Sequence, residues 1–546
     1  MNQEPSWDET YDVVVAGSGA AALSAALTSA VGGASVLIVE KSERFGGTSA
    51  MSGAGVWVPA NHLAQESGVA DSPEEAFTYL KATAPEGWAE QEEHLWRRYV
   101  DASPEMLRML DENTPLEFEL TPEPDPMAEY EGGKDIGRMV SPRALSRQIL
   151  GSFGDSIRQS SMPNLFTYRE VQVHGPFKHP IRATLRLAHR LAFRLLSKSR
   201  GQGNALVTGL MKGCMDAGCV VWLQSKVTEL VTDDVGVVTG IVSERSNGAK
   251  RVRARRGVVL ATGGFEWDET RREKHFSGHV DRIGSPRTNT GDGHNLAESV
   301  GASLERMDQA NIYATLPVHY EGEVHGIPAL FHNAAHAIVV NQAGRRFASE
   351  FDYNFGEHLD ARDPTTGQPT HLPSWMIADS TFLAASGMFK WYARKVPGFI
   401  RKANTIRELA RLIELDPETL EATVRRFNGH VQSGRDFDFH RGETAWERYK
   451  SGSTPTNLAP ALGAVDKAPF VAVPVNRSIL VTKGGPRTNE NGEVLRKDGS
   501  VIGGLYCAGV AMANPIGTRA VGAGTTLGPC MTWGYICGQS LLKTNR

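Results

Sequence analysis

An α/β fold is predicted, with a parallel-sheet domain that is discontinuous in the chain and an α+β domain inserted into it. Three observations predict it. A β-branched run near the start, "DVVVAGSGAAALSAAL", ends in a glycine turn and a string of small residues. A second glycine-rich turn followed by an apolar helix pattern, "GAGTTLGPCMTWGYICG", lies at the other end of the chain. Between them the pattern changes to short strands and capped amphipathic helices. The length, 546 residues, exceeds what one core accommodates, so two or more domains are expected.

In chain order, Tyr11 to Ala16 reads as a continuous buried parallel strand. Gly17 permits a tight turn and Gly19 lets the backbone approach a pyrophosphate. Ala20 to Ala30 reads as a helix whose first N–H groups, at Ala20 and Ala21, face that anion. Ala22 takes the place of the usual third glycine. Ala34 to Glu40 is the second strand, and Glu40 ends it about 20 residues beyond the glycines, where a carboxylate binds ribose hydroxyls. Strand, turn, helix, strand and terminal acid together read as a Rossmann-type dinucleotide site. The turn alone does not separate NAD from FAD.

The following stretch, "EKSERFGGTSAMSGAGVWVP", resembles the fumarate reductase/succinate dehydrogenase flavoprotein family. The resemblance implies that Lys41, Gly46, Gly47, Thr48, Ser49, Ser52, Gly53, Ala54 and Gly55 wrap the pyrophosphate and flavin of a non-covalent FAD. It recurs at "VVLATGGF", where Ala261, Thr262 and Gly263 stand beside the adenine half, and it adds Val227 and Gly293. It recurs again from Thr482 to Val510, which brings Gly509 and Val510, and in the final turn, which brings Thr525, Thr526 and Leu527. There the helix N-terminus is expected at the flavin pyrimidine edge, where it favours negative charge. The turn after the first helix lacks the histidine that the family uses for covalent attachment.

The flavin segments lie at both ends, so the domains are drawn as 1–284, with a mostly helical excursion over about 71–201, then a cap over 285–465, then 466–546. Within the cap, Ala337 to Asn341 reads as a strand, and 405–415 and 416–431 as helices, the second with Asp-Pro at its start. A formal net charge of −4 gives no reason to expect nucleic-acid binding. Five cysteines, an odd number without a C-x-x-C pair, suggest a reducing compartment and no zinc site. The polar opening "MNQEPSWDET" argues against a secretory signal, and no run of about 18 apolar residues suggests a membrane span. A cytoplasmic location is expected. One stretch qualifies it: Lys178, Arg182, Arg186, Arg190, Arg194 and Lys198 recur every four residues among leucines, with no acid from Val171 to Met215. It reads either as a solvated helix docked on the core or as an interfacial helix on an anionic membrane.

Flavin chemistry needs a proton-handling partner. "VVNQAGRRFASEFDYNFGEHL" resembles the family's cap motif, and in its 3-ketosteroid Δ1-dehydrogenase branch a tyrosine after the glutamate is the base. Here Glu350 precedes Tyr353, with one residue fewer between them than that branch has. A nearby Arg or helix end is expected to lower the phenol's pKa. "EYEGGKDIGRMVSP" resembles the branch's substrate-entrance loop and makes Tyr130 the candidate second tyrosine, relaying the proton to solvent. Fumarate reductases carry a proton-donating arginine after a D-S pair; Phe382 stands there. In the final turn, Gly524 matches the glycine whose N–H holds the ketone oxygen, but Ala520 replaces the branch's tyrosine. Arg519 beside it either polarises the ketone or binds a substrate carboxylate, and Asn514 is a further polar candidate.

The resemblance implies FAD-dependent α,β-dehydrogenation of a cyclic ketone, most readily a 3-ketosteroid, with the β-hydride passing to flavin N5. The alternatives are reduction of an unsaturated carboxylate, or dehydrogenation of a smaller oxo-cyclohexane whose carboxylate Arg519 holds. A quinone, a dye or O2 is the expected electron acceptor, since no C-x-x-C-H haem motif is present.

Overall fold

The computed structural model describes residues 6–246, 248–328, 331–387, 389–390, 396 and 398–544. Residues 1–5 of the polar opening lie outside the described residues.

The valines of the first strand dictate the centre of the molecule. Strand Glu9–Ala16 runs parallel to Val36–Val39 on one side and to Gly248–Leu260 on the other, with Val13 opposite both Val36 and Gly257. Val13, Val14 and Val15 are fully buried, as a strand covered on both faces requires. Strand Val501–Cys507 joins the same sheet parallel to Gly248–Leu260, pairing Leu505 with Val258. Chain from both ends thus builds one sheet, in the order Glu493–Leu495, Val501–Cys507, Gly248–Leu260, Glu9–Ala16, Val36–Val39, Val220–Trp222. The alanine string forms helix Ala20–Val31, and its small side chains have a packing reason. The final helix, Leu527–Lys543, lies so close that a Cβ on Gly534 would stand 2.2 Å from the Ala21 carbonyl oxygen.

The cap is built on a four-stranded antiparallel sheet in the order Ala337–Val340, Ser374–Ala378, Phe470–Val475, Arg401–Ala403. Alternation along Ala337–Val340 sends Ile338 and Val340 under helices Ile406–Leu412 and Pro417–Gln432, while Ala337 and Val339 face a second core with Phe355 and Phe382. Thr405 and Glu408 close a capping box on the first helix, and Asp416 caps the second by accepting from the Thr419 N–H at 2.8 Å. The boundary expected at 465/466 cuts this sheet, because Phe470–Val475 pairs with Ser374–Ala378 inside it. Strand pairing puts the edge of the cap after Val475.

The excursion carries helices Pro73–Thr83 and Ala89–Asn113 together with strands Phe118–Leu120 and Met139–Pro142, and packs Tyr79, Trp96 and Tyr99 with Trp57 against Ile516 and Val521 of the final turn. The basic stretch is two helices, Pro180–Arg186 and Ala188–Leu196, joined at the buried Leu187. Arg194 turns inward to Glu170, and the exposed Arg190 reaches the same carboxylate from outside. Ile181, Leu185, Phe193 and Leu196 are each at least 67% exposed, so only part of the apolar face, at Leu187, docks on the core. Among the described residues no helix is long and apolar enough to cross a membrane.

Candidate active site

A cleft of about 790 Å³ opens at the C-terminal end of the first strand. Gly17, Gly19, Ala20, Ala21, Glu40, Lys41, Gly47, Thr48, Ser49, Val227, Ala261, Thr262, Gly263, Gly509 and Val510 all line it, although they come from four distant segments. Gly17 has φ +109°, and a Cβ there would stand 2.2 Å from the Ala261 carbonyl oxygen, so no other residue fits the turn. The Ser49 hydroxyl accepts from the Ala20 N–H at 3.0 Å, tying the glycine-rich stretch to the start of the first helix. Glu40 is buried at the strand end, accepting from Ser18 Oγ at 2.5 Å and from the Ser42 N–H at 2.8 Å; burial raises its pKa. Lys41 pairs with Asp292 at 2.5 Å and reaches Thr290 Oγ1 at 2.8 Å. A carboxylate at the ribose end, backbone amides along the turn and a cleft free of bulky side chains fit FAD.

The remaining predicted cofactor residues stand one layer behind the lining. Gly46 donates its N–H to Ser18 Oγ at 3.0 Å, Ser52 Oγ donates to the Ser49 carbonyl at 2.7 Å, and Ala54 N–H donates to Ser52 Oγ at 3.2 Å. Gly293 N–H donates to Thr262 Oγ1 at 3.1 Å. Thr525 Oγ1 donates to the Gly522 carbonyl at 2.7 Å, Thr526 Oγ1 accepts from Asn311 Nδ2 at 2.8 Å, and Leu527 begins the final helix. Gly53 and Gly55 face a side chain that sequence reading missed, the ring of Tyr168. Ser18, Asn289 and Cys530 also line the cleft unpredicted. Ser18 stands between the two turn glycines and was legible there; Asn289 carries no local signal.

The cap meets the final turn at a narrow cleft lined by Tyr313, Tyr353, Asn354, Glu357, Thr518 and Ala520 among others. Tyr353 Oη donates to the Gly522 carbonyl at 3.3 Å, and the ring meets Trp446 edge-on, centroids 4.6 Å apart. Gly524 follows two residues later. A Cβ there would stand 2.2 Å from the Trp57 nitrogen, and its own N–H donates to no protein acceptor among the described residues. Glu350 does not reach the narrow cleft. Burial raises its pKa, but the guanidiniums of Arg346 (2.8 Å) and Arg441 (2.9 Å) more than offset this and hold it below the usual carboxylate value. It anchors the loop that carries Tyr353.

Three expectations are corrected. Burial drives the Tyr353 pKa well above its ordinary value, and neighbouring Tyr313 and Glu123 push it further. Tyr130 is 53% exposed, on a turn closed by the Gly133 N–H donating to its carbonyl at 2.9 Å. The neighbouring Gly132 lies against the Glu75 carbonyl, which fixes the turn outward. Arg519 is no free cation, since its Nε donates to Glu357 at 3.0 and 3.2 Å. Asn514 turns its Oδ1 to the Ile516 N–H at 2.8 Å. Phe382 is buried in the cap core, away from any proton transfer.

Comparison with known proteins identifies the family. A family model described as an FAD binding domain matches residues 12–527. A 3-oxosteroid 1-dehydrogenase of Mycobacterium tuberculosis is 36% identical, over 97% of this chain and 97% of its own. A 4-oxocyclohexanecarboxylate 2-dehydrogenase of Sinomonas cyclohexanicum is 34% identical, over 97% of this chain and 93% of its own. The crystal structure of 3-ketosteroid Δ1-dehydrogenase from Sterolibacterium denitrificans, in complex with 1,4-androstadiene-3,17-dione, superposes with a TM-score of 0.88. It is 30% identical and covers 98% of this chain and all of its own.

Proposed function

The chain belongs to the FAD-binding family that these relatives share, and from that premise we propose that it is an FAD-dependent dehydrogenase that places a C=C bond next to the carbonyl of a 3-ketosteroid. FAD, when bound, supplies the acceptor for the hydrogen and electron pair leaving the β-carbon. The observation that carries the reading is the hydrogen bond from Tyr353 Oη to the Gly522 carbonyl, which holds a phenol two residues from the unpartnered Gly524 N–H. A ketone oxygen accepting from Gly524 is polarised toward its enolate, and the adjacent α-proton then faces Tyr353. With its pKa raised by burial, Tyr353 does not wait as a tyrosinate; it must pass on its own proton as it takes the substrate's. Asn354 keeps the phenol in place by bonding the backbone of Ala520. Anaerobic mixing with a panel of saturated ketones tests the reading: bleaching of the yellow protein by 3-ketosteroids is expected, and reoxidation by unsaturated acids without bleaching by ketones overturns it.

One observation favours a second reading. Arg519 engages Glu357, a residue that lines the narrow cleft, through Nε alone, and its terminal nitrogens make no hydrogen bond among the described residues, which suits a carboxylate. That suits an oxo-cyclohexane carboxylic acid, and bleaching by such an acid but not by a steroid would favour it.

The electron acceptor in this reading is external, a quinone, a dye or O2. The exposed Ile181, Leu185, Phe193 and Leu196, rimmed by Lys178, Arg182 and Arg186, form the surface by which the chain rests on an anionic membrane. Co-sedimentation with phosphatidylglycerol vesicles at low salt, lost at high salt, is the expected result.

A further inference from the structure

We propose that Tyr168, Glu123 and Lys450 form the exit path for the proton that Tyr353 removes, a proposal that rests on the reading of Tyr353 given above. The three come from separate segments and make one connected chain. Tyr168 packs directly on the glycine loop: a Cβ on Gly55 would stand 3.0 Å from its Cζ, and one on Gly53 3.1 Å from its Cδ2. Its hydroxyl donates to Glu123 Oε2 at 2.8 Å. Glu123 is buried, and its other oxygen accepts from Lys450 Nζ at 3.2 Å. The Lys450 side chain is 16% exposed and reaches Gln172 Oε1 at 3.0 Å, so this end of the chain meets solvent.

The path also touches the base. Lys450 Nζ lies 4.4 Å over the Trp446 ring, which Tyr353 meets in a T-shaped contact with centroids 4.6 Å apart. Besides burial, Glu123 and Tyr353 both raise the pKa of Tyr168, and Glu123 raises that of Tyr353. On the same helix, Trp446 Nε1 and Tyr449 Oη are buried without a partner among the described residues, polar groups that a water bridging the phenols would satisfy. A mere clamp between cap and base would need only the Glu123–Lys450 ion pair. It gives no reason for a phenol bonded to the buried end of that pair and laid on the loop beneath the reacting centre.

The step balances as a transfer of one proton. The α-proton bonds to the Tyr353 oxygen while the Tyr353 hydroxyl proton leaves through the bridging water to the Tyr168 oxygen. The Tyr168 proton passes to Glu123 Oε2, leaving a neutral acid. Lys450 releases a proton to bulk water and takes the one on Glu123, and every group returns to its starting state. No electrons move along the path.

The flavin-loaded wild-type enzyme is mixed anaerobically with a bleaching ketone in H2O/D2O mixtures. A relay with several protons in flight gives a rate that bows below a straight line in deuterium fraction; a linear dependence overturns the proposal. Tyr168→Phe and Lys450→Met are each expected to lose about tenfold or more of turnover, with imidazole restoring much of the loss in a saturable manner. Turnover within about twofold of wild type, or a loss that imidazole does not restore, overturns it. Failure of the Tyr353 reading shows differently, as full turnover in Tyr353→Phe.

Discussion

Asn354 and Ala520 are clasped by two hydrogen bonds running in opposite directions: Asn354 Nδ2 donates to the Ala520 carbonyl at 3.1 Å, and the Ala520 N–H donates to Asn354 Oδ1 at 2.9 Å. One side chain thereby fixes the cap loop to the turn that ends in Gly524. A primary amide alone offers both a donor and an acceptor in this spacing. Asn354→Ala removes both bonds and frees Tyr353 to drift from the ketone. Misplacement by about 1 Å costs on the order of 100-fold. The expected result is a fall in kcat of that order with FAD content unchanged, measured by steady-state kinetics and the protein-to-flavin absorbance ratio.

Tyr353→Phe keeps the ring against Trp446 and deletes only the hydroxyl. Loss of a general base lowers turnover by about 100-fold to 10,000-fold. Bound flavin and ketone affinity are expected to persist, which a spectral titration of the oxidised variant checks. Unchanged turnover places the base elsewhere.

Gly17→Ala attacks the cofactor instead. The backbone there has φ +109° and the new Cβ meets a carbonyl, not a side chain that can swing aside. The variant is expected to purify without colour and to melt at a temperature that added FAD no longer raises.

The contrast between these sites explains what could be read from the chain alone. Gly17, Gly19 and Glu40 belong to one local unit whose spacing is set by strand and helix geometry, so their meeting in the cleft was legible. The alanines after them gave a helix, and the closeness of Leu527–Lys543 shows why they are small. Tyr130 and Tyr168 could not be ranked this way. Each is a lone tyrosine, and which one is buried depends on Gly132 docking on the Glu75 carbonyl and on Tyr168 finding Gly53 and Gly55 more than a hundred residues earlier. The partner of Arg519 was equally hidden, since Glu357 lies in the inserted cap. Local turns carry their own geometry; contacts across the cap interface do not.

Glu447 contributes stability that is predicted to fall as pH rises through neutrality, against the buried His294 and His332, whose pKa values burial lowers to about 4 and whose contribution rises with pH. Burial raises the Glu447 carboxyl to about 7, against the bonds from the Ser349 hydroxyl and the Gly442 N–H at 2.7 Å, which favour the charged form. Between the ordinary carboxylate value and about 7 the folded chain holds a proton that the unfolded chain has lost. Its contribution is therefore complete in acid, below the unfolded pKa, and disappears as pH climbs past the folded one. The full difference is on the order of 3 kcal/mol. Asp125, raised to about 6 chiefly by burial, shifts stability in the same direction, so wild type alone does not isolate Glu447. Urea midpoints at pH 5 and pH 8 for wild type and Glu447→Gln separate the two. The variant is expected to be less stable than wild type at pH 5, having lost an acceptor for the Gly442 N–H, and to close much of that gap at pH 8. A gap that stays constant between the two pH values removes Glu447 from the account.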